Sequence, residues 1–364
     1  MDEAPKSAGI KEMAIALGLS LGTVDRALHG RRGVSEATKA RVLRMAQQLG
    51  YKPNLAAQAL KLNRRLSIAV ILPTQISHFF DPVRAGIRAA AAATVGMHIS
   101  LEFHEYPRLG VGDIKAFDIA LERRYDGILF LPGDPLRFDP LISKLSQSGT
   151  TMVCVCSDAP DSDRAGSIAV HASISGAMAA ELLSLRLHDK AKVAIITGEL
   201  STLDHAEKLR GFSTTLAAQL PHLQLLPALE SHEQPEEAYR QTLALMQKKA
   251  RPEGIYVSTA NSMPVLQALK ELDLLGKVHV VTTDYFHELG TLIESGSVLA
   301  TMYQRPYTQG KLAFETLLSL LVNGAGAAPI IRLAPHVILR SNLSLFYRQA
   351  AESESDSTSE LLYG

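Results

Sequence analysis

The sequence predicts a small all-α module followed by a large α/β body built on doubly wound parallel sheets. Three observations carry this reading. Residues 10–52 show apolar positions at helical spacing, interrupted by a turn glycine. From Arg65 onward, short apolar runs alternate with amphipathic stretches. The charge divides at the same place. Residues 1–66 hold twelve Lys/Arg against five Asp/Glu, a net of +7, in a 364-residue chain whose formal total is zero. The other 298 residues therefore carry −7. A basic segment on an acidic body is the electrostatic footprint of a phosphate-binding head.

Within the head, Ile10, Met13, Ala14 and Leu17 lie at helical spacing, and Gly18 supplies a left-handed stop. Ser20 is the expected N-cap of a second helix that turns Val24, Ala27 and Leu28 inward and Thr23 and Arg26 outward. This is a helix-turn-helix, whose second helix enters the major groove, where an arginine can grip a guanine edge with two hydrogen bonds. A third helix is expected from Ser35 to Gly50, with Glu36 in its first turn and Val42, Leu43, Ala46 and Leu49 as its apolar stripe.

In the body, the runs LSIAVILP, MHISLEFHE, DGILFLP, TTMVCVCSD, SIAVH, KVAIITG, LQLLPALE, GIYVST, VHVVTTD and VLATMYQ read as strands covered on both faces. Helical stretches such as 83–94 and 177–188 separate them. The expected divisions are a tail at 1–9, the head at 10–52, a linker at 53–64, the body at 65–344 and an acidic tail at 345–364, AESESDSTSELLYG at its end. That tail lacks the heptads of a tetramerising coiled coil, so a homodimer is the expected state. Cys154 and Cys156 share a strand face and lack a second ligand pair, which makes them core thiols and leaves no metal site expected. The chain has no G-x-G-x-x-G after a strand, no P-loop, no G-x-S-x-G and no H-E-x-x-H, so neither a nucleotide cofactor nor an enzyme is expected. MDEAPKSAG carries no signal-peptide apolar stretch and no run is long enough to span a bilayer, which predicts a cytoplasmic protein without membrane contact.

Ligands of doubly wound sheets bind at the carboxyl ends of the strands. The residues found there are Ser77, His78, Phe79 and Phe80; Asp134; Ser157 and Asp158; His205 and Lys208; Asn261; Asp284; and Gln304. Carboxylates, amides and a cation beside flat rings suit a polyhydroxylated ligand. Asp134 and Asp284 also fit simple Asx turns, and the adjacent Phe79 and Phe80 are not expected to face inward together on a regular element.

The order SLGTVDRALHG, GRRGVSEATKARV, LGYKPNLAAQAL resembles the headpiece and hinge of the LacI/GalR family of bacterial transcription regulators. The resemblance implies operator DNA as partner, with Ser20, Leu21, Gly22, Thr23 and Arg26 on the reading helix. It also implies a hinge in which Tyr51, Asn54 and Ala57 approach DNA and Leu60 wedges into the minor groove, unstacking a base step. Leu21 and Gly22 depart from the family's usual base-readers, which shifts readout toward Arg26 and DNA deformability. The body is similar to the type I periplasmic sugar-binding fold, two-lobed, that serves as effector domain in the same family. That resemblance implies a sugar or related small polar effector held by Ser77, Phe79, Phe80, Asp134, Asp158, His205, Lys208, Asn261, Asp284 and Gln304. The alternative is the same build responding to a non-sugar or to a partner protein. Lys208 stands where the family usually has arginine, and His171-Ala172 where many relatives have Asp-Asn, which leaves one side of the cleft in doubt.

Overall fold

The computed structural model describes residues 10–28, 33–48, 65–324 and 328–346. The linker expected at 53–64, with Tyr51, Asn54, Ala57 and Leu60, lies outside the described residues, as do the tail at 1–9 and residues 347–364.

The head contains α1 (Ile10–Leu17), α2 (Leu21–Leu28) and α3 (Glu36–Gln48). Gly18, at φ 64°, ends α1 in a Schellman turn: its N–H reaches Ile15 O at 3.3 Å and the Leu19 N–H reaches Ala14 O at 3.0 Å. Ser20 caps α2, its Oγ accepting from the Thr23 N–H at 3.1 Å, and Ser35 caps α3 through the Thr38 N–H at 3.2 Å. Met13, Ala14, Val24, Ala27 and Val42 form the core, with Leu17, Leu28, Met45 and Ala46 packed on it. Leu43 departs from the expected stripe and is 45% exposed. The core face of α3 runs from Val42 to Met45 and Ala46, three and four residues on, whereas Leu43 sits about 100° round the helix.

The body runs β1 (Arg65–Pro73), α4 (Ser77–Ala92), β2 (His98–Tyr106), α5 (Asp113–Arg123), β3 (Gly127–Phe130), α6 (Pro135–Gln147), β4 (Thr151–Val155) and β5 (Gly166–Val170). There follow α7 (Ala172–Ser184), β6 (Lys192–Thr197), α8 (Leu203–Gln219), β7 (Gln224–Leu225), β8 (Leu229–Glu230), α9 (Pro235–Met246), β9 (Gly254–Val257) and α10 (Met263–Glu271). The last elements are β10 (His279–Thr283), α11 (His287–Glu294), β11 (Ala300–Tyr303), α12 (Pro306–Asn323), β12 (Ile330–Leu333) and β13 (His336–Ile338).

Two sheets result. The first has the order β12-β5-β4-β3-β1-β2 and the second β13-β11-β10-β9-β6-β7, with β8 also on β6. β1, β3, β4, β5 and β12 pair in parallel, as do β6, β9, β10 and β11, while β13 returns antiparallel on β11. The chain passes between sheets after β5, after β11 and between β12 and β13, so each lobe is completed by sequence from the other end of the body. LQLLPALE, expected as one strand, is two short ones on either side of Pro227, both paired with β6. Proline has no N–H for a ladder, which accounts for the break. β12 and β13 are not visible in the sequence because each is too short to show a period. The body also runs past its expected end at 344: Phe346 packs on Tyr285 and Tyr303, ring centroids 5.9 and 5.4 Å away.

Both sheet faces of the second lobe are covered, one by the cluster around Leu266, Leu269 and Leu289, the other by Leu183, Phe212 and Tyr256. α7 crosses α8 closely through two glycines. A Cβ on Gly211 would stand 1.9 Å from Ser173 O and one on Gly176 2.0 Å from Lys208 O. Gly211→Ala is therefore expected to destabilise the body by about 1–3 kcal/mol, read as a lower urea midpoint. An unchanged midpoint would show that the two helices separate at little cost.

Candidate functional site

An open cavity lies between the carboxyl ends of the two sheets. The first lobe contributes Gln75, Phe79, Phe80, Arg108 and Ser157, and the second Thr202, Asp204, His205, Lys208, Glu233, Thr259 and Gln304. The lobes touch around it. Gln75 Nε2 donates to Glu233 O at 2.8 Å, His78 Nε2 meets Ala260 O at 3.0 Å, and Thr202 Oγ1 donates to Gly133 O at 2.7 Å. At the rim Arg108 donates to His232 O at 3.2 Å. Beside it Glu199, Glu230 and His232 gather ligand-type atoms within 4.8 Å of one another, a grouping that sequence spacing did not signal.

Of the residues expected at a ligand, Phe79, Phe80, His205, Lys208 and Gln304 line this cavity. Phe79 and Phe80 correct the expectation that adjacent rings cannot both be buried: each is 6% exposed, and they meet edge to face at 4.9 Å. They sit in the first turn of α4, which is enclosed by its own lobe and by the cavity. The other five do not line it. Ser77 is exposed at the start of α4. Asp134 caps α6, accepting from the Arg137 N–H. Asp158 is buried against Arg164 and Arg332, with Arg164 Nη2 at 2.9 Å, and borders a neighbouring polar cavity with His171 and Glu207. Burial pushes the Asp158 carboxyl up, but the two arginines outweigh it and hold the group below its ordinary range. Asn261 donates its backbone N–H to Thr259 Oγ1 and leaves the lining to Thr259 and Ala260.

Asp284 lies one layer behind the wall. It is buried at φ 62°, and its carboxylate accepts from the Gln304 N–H at 2.9 Å and from Gln304 Nε2. Burial pushes its carboxyl up to about 6, against the opposing pull of Lys208 and Gln304. Gln304 is the residue that reaches the cavity, with its carbonyl also held by Gln309 Nε2 at 2.8 Å.

Lys208 is 1% exposed and donates to Asp204 Oδ2 at 2.6 Å, one helical turn away. Burial works to lower its pKa, but Asp204 and the other charges around it outweigh this and the net is upward, so the ammonium stays charged. Glu233, at φ 52°, accepts from Thr259 Oγ1 at 2.7–2.8 Å, and His205 Nε2 lies 3.3 Å away. His205 Nδ1 meets both the N–H and the carbonyl oxygen of Glu199 at 3.0 Å, which fixes the ring with Nε2 toward Glu233. Gln75, Arg108, Thr202, Asp204, Glu233 and Thr259 were missed from sequence. Asp204 was legible as the acid four residues before Lys208 on one helix face; Glu233, in a loop, carried no signal. Cys156 also lines the cavity, because β4 ends at Val155 and the backbone turns to φ 67°, so the two thiols do not share a strand face. Burial raises both thiols, Cys154 to about 12.

Residues 68–325 match the periplasmic binding protein domain family, and residues 9–54 match the bacterial regulatory proteins of the lacI family. The chain belongs to the lacI family of DNA-binding repressors, with a periplasmic-binding-protein-like domain as its body. Over 355 residues it is 23% identical to the HTH-type transcriptional repressor PurR of Vibrio parahaemolyticus, covering 92% of this chain and 98% of that one. It is 24% identical to the ribose operon repressor of Haemophilus influenzae over 343 residues, with the same coverage. Among solved structures, a solute-binding protein of Burkholderia graminis in complex with D-arabinose superposes with TM-score 0.70 at 23% identity, over 78% of this chain and 98% of that one. Among the described residues no helix is long and apolar enough to cross a membrane.

In this lacI-family head, Ser20, Leu21, Gly22 and Arg26 are exposed and Thr23 is half-buried. Leu21 is 54% exposed at the tip of α2. The hydroxyls of Ser20 and Thr23 are bonded to each other at 2.8 Å in the cap. The guanidinium of Arg26 lies over Gly22, 3.9 Å from where a Cβ would stand.

Proposed function

We propose that this regulator reads operator DNA through residues 20–26 and that a small polar molecule of the sugar class, held between its lobes, sets operator affinity. The observation that carries the effector reading is the cavity itself, where two phenyl rings face a wall of hydrogen-bonding side chains. Rings stack on the C–H faces of a sugar while acceptors and donors take its hydroxyls. The names of two of the similar proteins, a ribose operon repressor and a D-arabinose complex, point the same way, while the name PurR does not. In this reading residues 10–52 are the head, 53–64 the hinge, with Leu60 as its wedge, and two copies pair to read a roughly palindromic site. The effector acts only through its different affinity for the DNA-competent and DNA-incompetent arrangements.

Thermal melting with pentoses, hexoses and inositols tests the effector reading: a cleft ligand raises the melting temperature with concentration. No rise with any of them at millimolar concentration would overturn it. For the head, Arg26→Ala is expected to weaken binding to an operator selected from random DNA by about 1–3 kcal/mol, with little loss on nonspecific duplex. Equal losses on both would make Arg26 a phosphate contact.

A further inference from the structure

If the cavity is the effector site, as proposed above, its charges and hydrogen-bonding groups narrow the class of effector. Three buried side-chain atoms on residues that line it have no hydrogen-bond partner among the described residues: Gln75 Oε1, Ser157 Oγ and Asp204 Oδ1. Two of the three can only accept. A buried acceptor left without a donor is destabilising, so a ligand that donates to them recovers that cost. The cations, by contrast, are already engaged. Lys208 is committed to Asp204 Oδ2 at 2.6 Å, and Arg108, also on the wall, donates to His232 O at 3.2 Å and lies 4.0 Å from Glu199. Glu233 adds a second buried carboxylate to the wall, engaged by Thr259 and facing His205.

We propose that this site takes an uncharged, hydroxyl-bearing ligand whose O–H groups donate to Asp204 Oδ1, Ser157 Oγ and Gln75 Oε1, and that Asp204 excludes anionic analogues by consuming the charge of Lys208. A uronate or a sugar phosphate would meet the carboxylates of Asp204 and Glu233, with the nearby cations already engaged. Discrimination then comes as much from repulsion of the wrong ligand as from attraction of the right one. Asp204 is thus a specificity-determining residue with two oxygens in two roles: Oδ2 quenches the ammonium and Oδ1 receives the ligand.

The test is calorimetry on the full chain with matched pairs, D-ribose against D-ribose 5-phosphate and D-galactose against D-galacturonate, with myo-inositol and D-glucosamine as further probes. Wild-type protein is expected to bind a neutral member, with its anionic counterpart at least about tenfold weaker. In Asp204→Asn, which keeps the shape and releases the ammonium, that ratio is expected to fall about tenfold or more. The variant's fold is checked by its melting curve, and if it does not fold, the wild-type ranking alone decides. Wild-type preference for an anion or for glucosamine would overturn this inference while leaving the cavity as the effector site. An equal loss of both classes in a folded Asp204→Asn would overturn it in the same way. Binding of none of the probes would remove the effector reading, and this one with it.

Discussion

Lys208→Met is expected to destabilise the body by about 3–5 kcal/mol, because it leaves a carboxylate in a desolvated wall with no cation to balance it. Lys208 is 1% exposed and Asp204 10%. The ammonium does more than pair with Asp204: its field also opposes the upward shift of Asp284. The loss should appear as a lower denaturant midpoint at constant slope. Lys208→Met with Asp204→Leu should recover most of it, since removing both charges removes the uncompensated one. A single-variant loss of under about 1 kcal/mol would mean that water screens the pair as it does a surface salt bridge.

The stability of Asp284→Asn relative to wild type is expected to rise as pH rises from about 4 to about 7. The carboxyl titrates near pH 6 in the folded chain, against a value of 3.8 for the free side chain. Between these pH values the folded chain keeps a proton that the unfolded chain has lost, so the wild-type contribution is present at low pH and disappears as pH rises through 6. Asparagine has no such titration. The stability difference between variant and wild type should therefore rise by about 2–2.5 kcal/mol from pH 4 to pH 7, each full pH unit between the two titration points contributing up to about 1.36 kcal/mol. Urea melts at several pH values measure it. A difference independent of pH would show that Asp284 titrates like an exposed acid. Because Asp284 holds Gln304 from behind the wall, its variant should alter the cavity through Gln304 rather than by losing a ligand contact of its own.

The head and the lobes were legible because their signals are local. Gly18 was readable as a helix stop, since only its left-handed φ allows the paired bonds to Ala14 and Ile15. The Ser20 cap follows from a hydroxyl placed three residues before an orphan N–H. The runs that became β1, β3, β4, β6, β9 and β10 could be seen because strands buried on both faces need unbroken apolar sequence. LQLLPALE misled because pattern alone does not weigh a missing N–H inside a run.

Which strand-end residues would face the cavity was not legible, and the reason is competition for partners. The sequence by itself determined that a basic three-helix head precedes an α/β body, and that polar and aromatic groups gather at the carboxyl ends of its strands. Only the tertiary structure decided which of them are spent elsewhere: Asp134 on its own helix N-terminus, Asp158 on Arg164 and on Arg332 from 174 residues away, and Asp284 on Gln304. It also brought in Glu233, whose carboxylate is placed by Thr259 and whose carbonyl is tied to Gln75, 158 residues earlier. Helix stops, caps and apolar periods are set by neighbours within about four residues, so they can be read along the chain. The direction of a polar side chain in a cleft is set by whichever buried partner satisfies it, and that partner arrives from another strand or the other lobe.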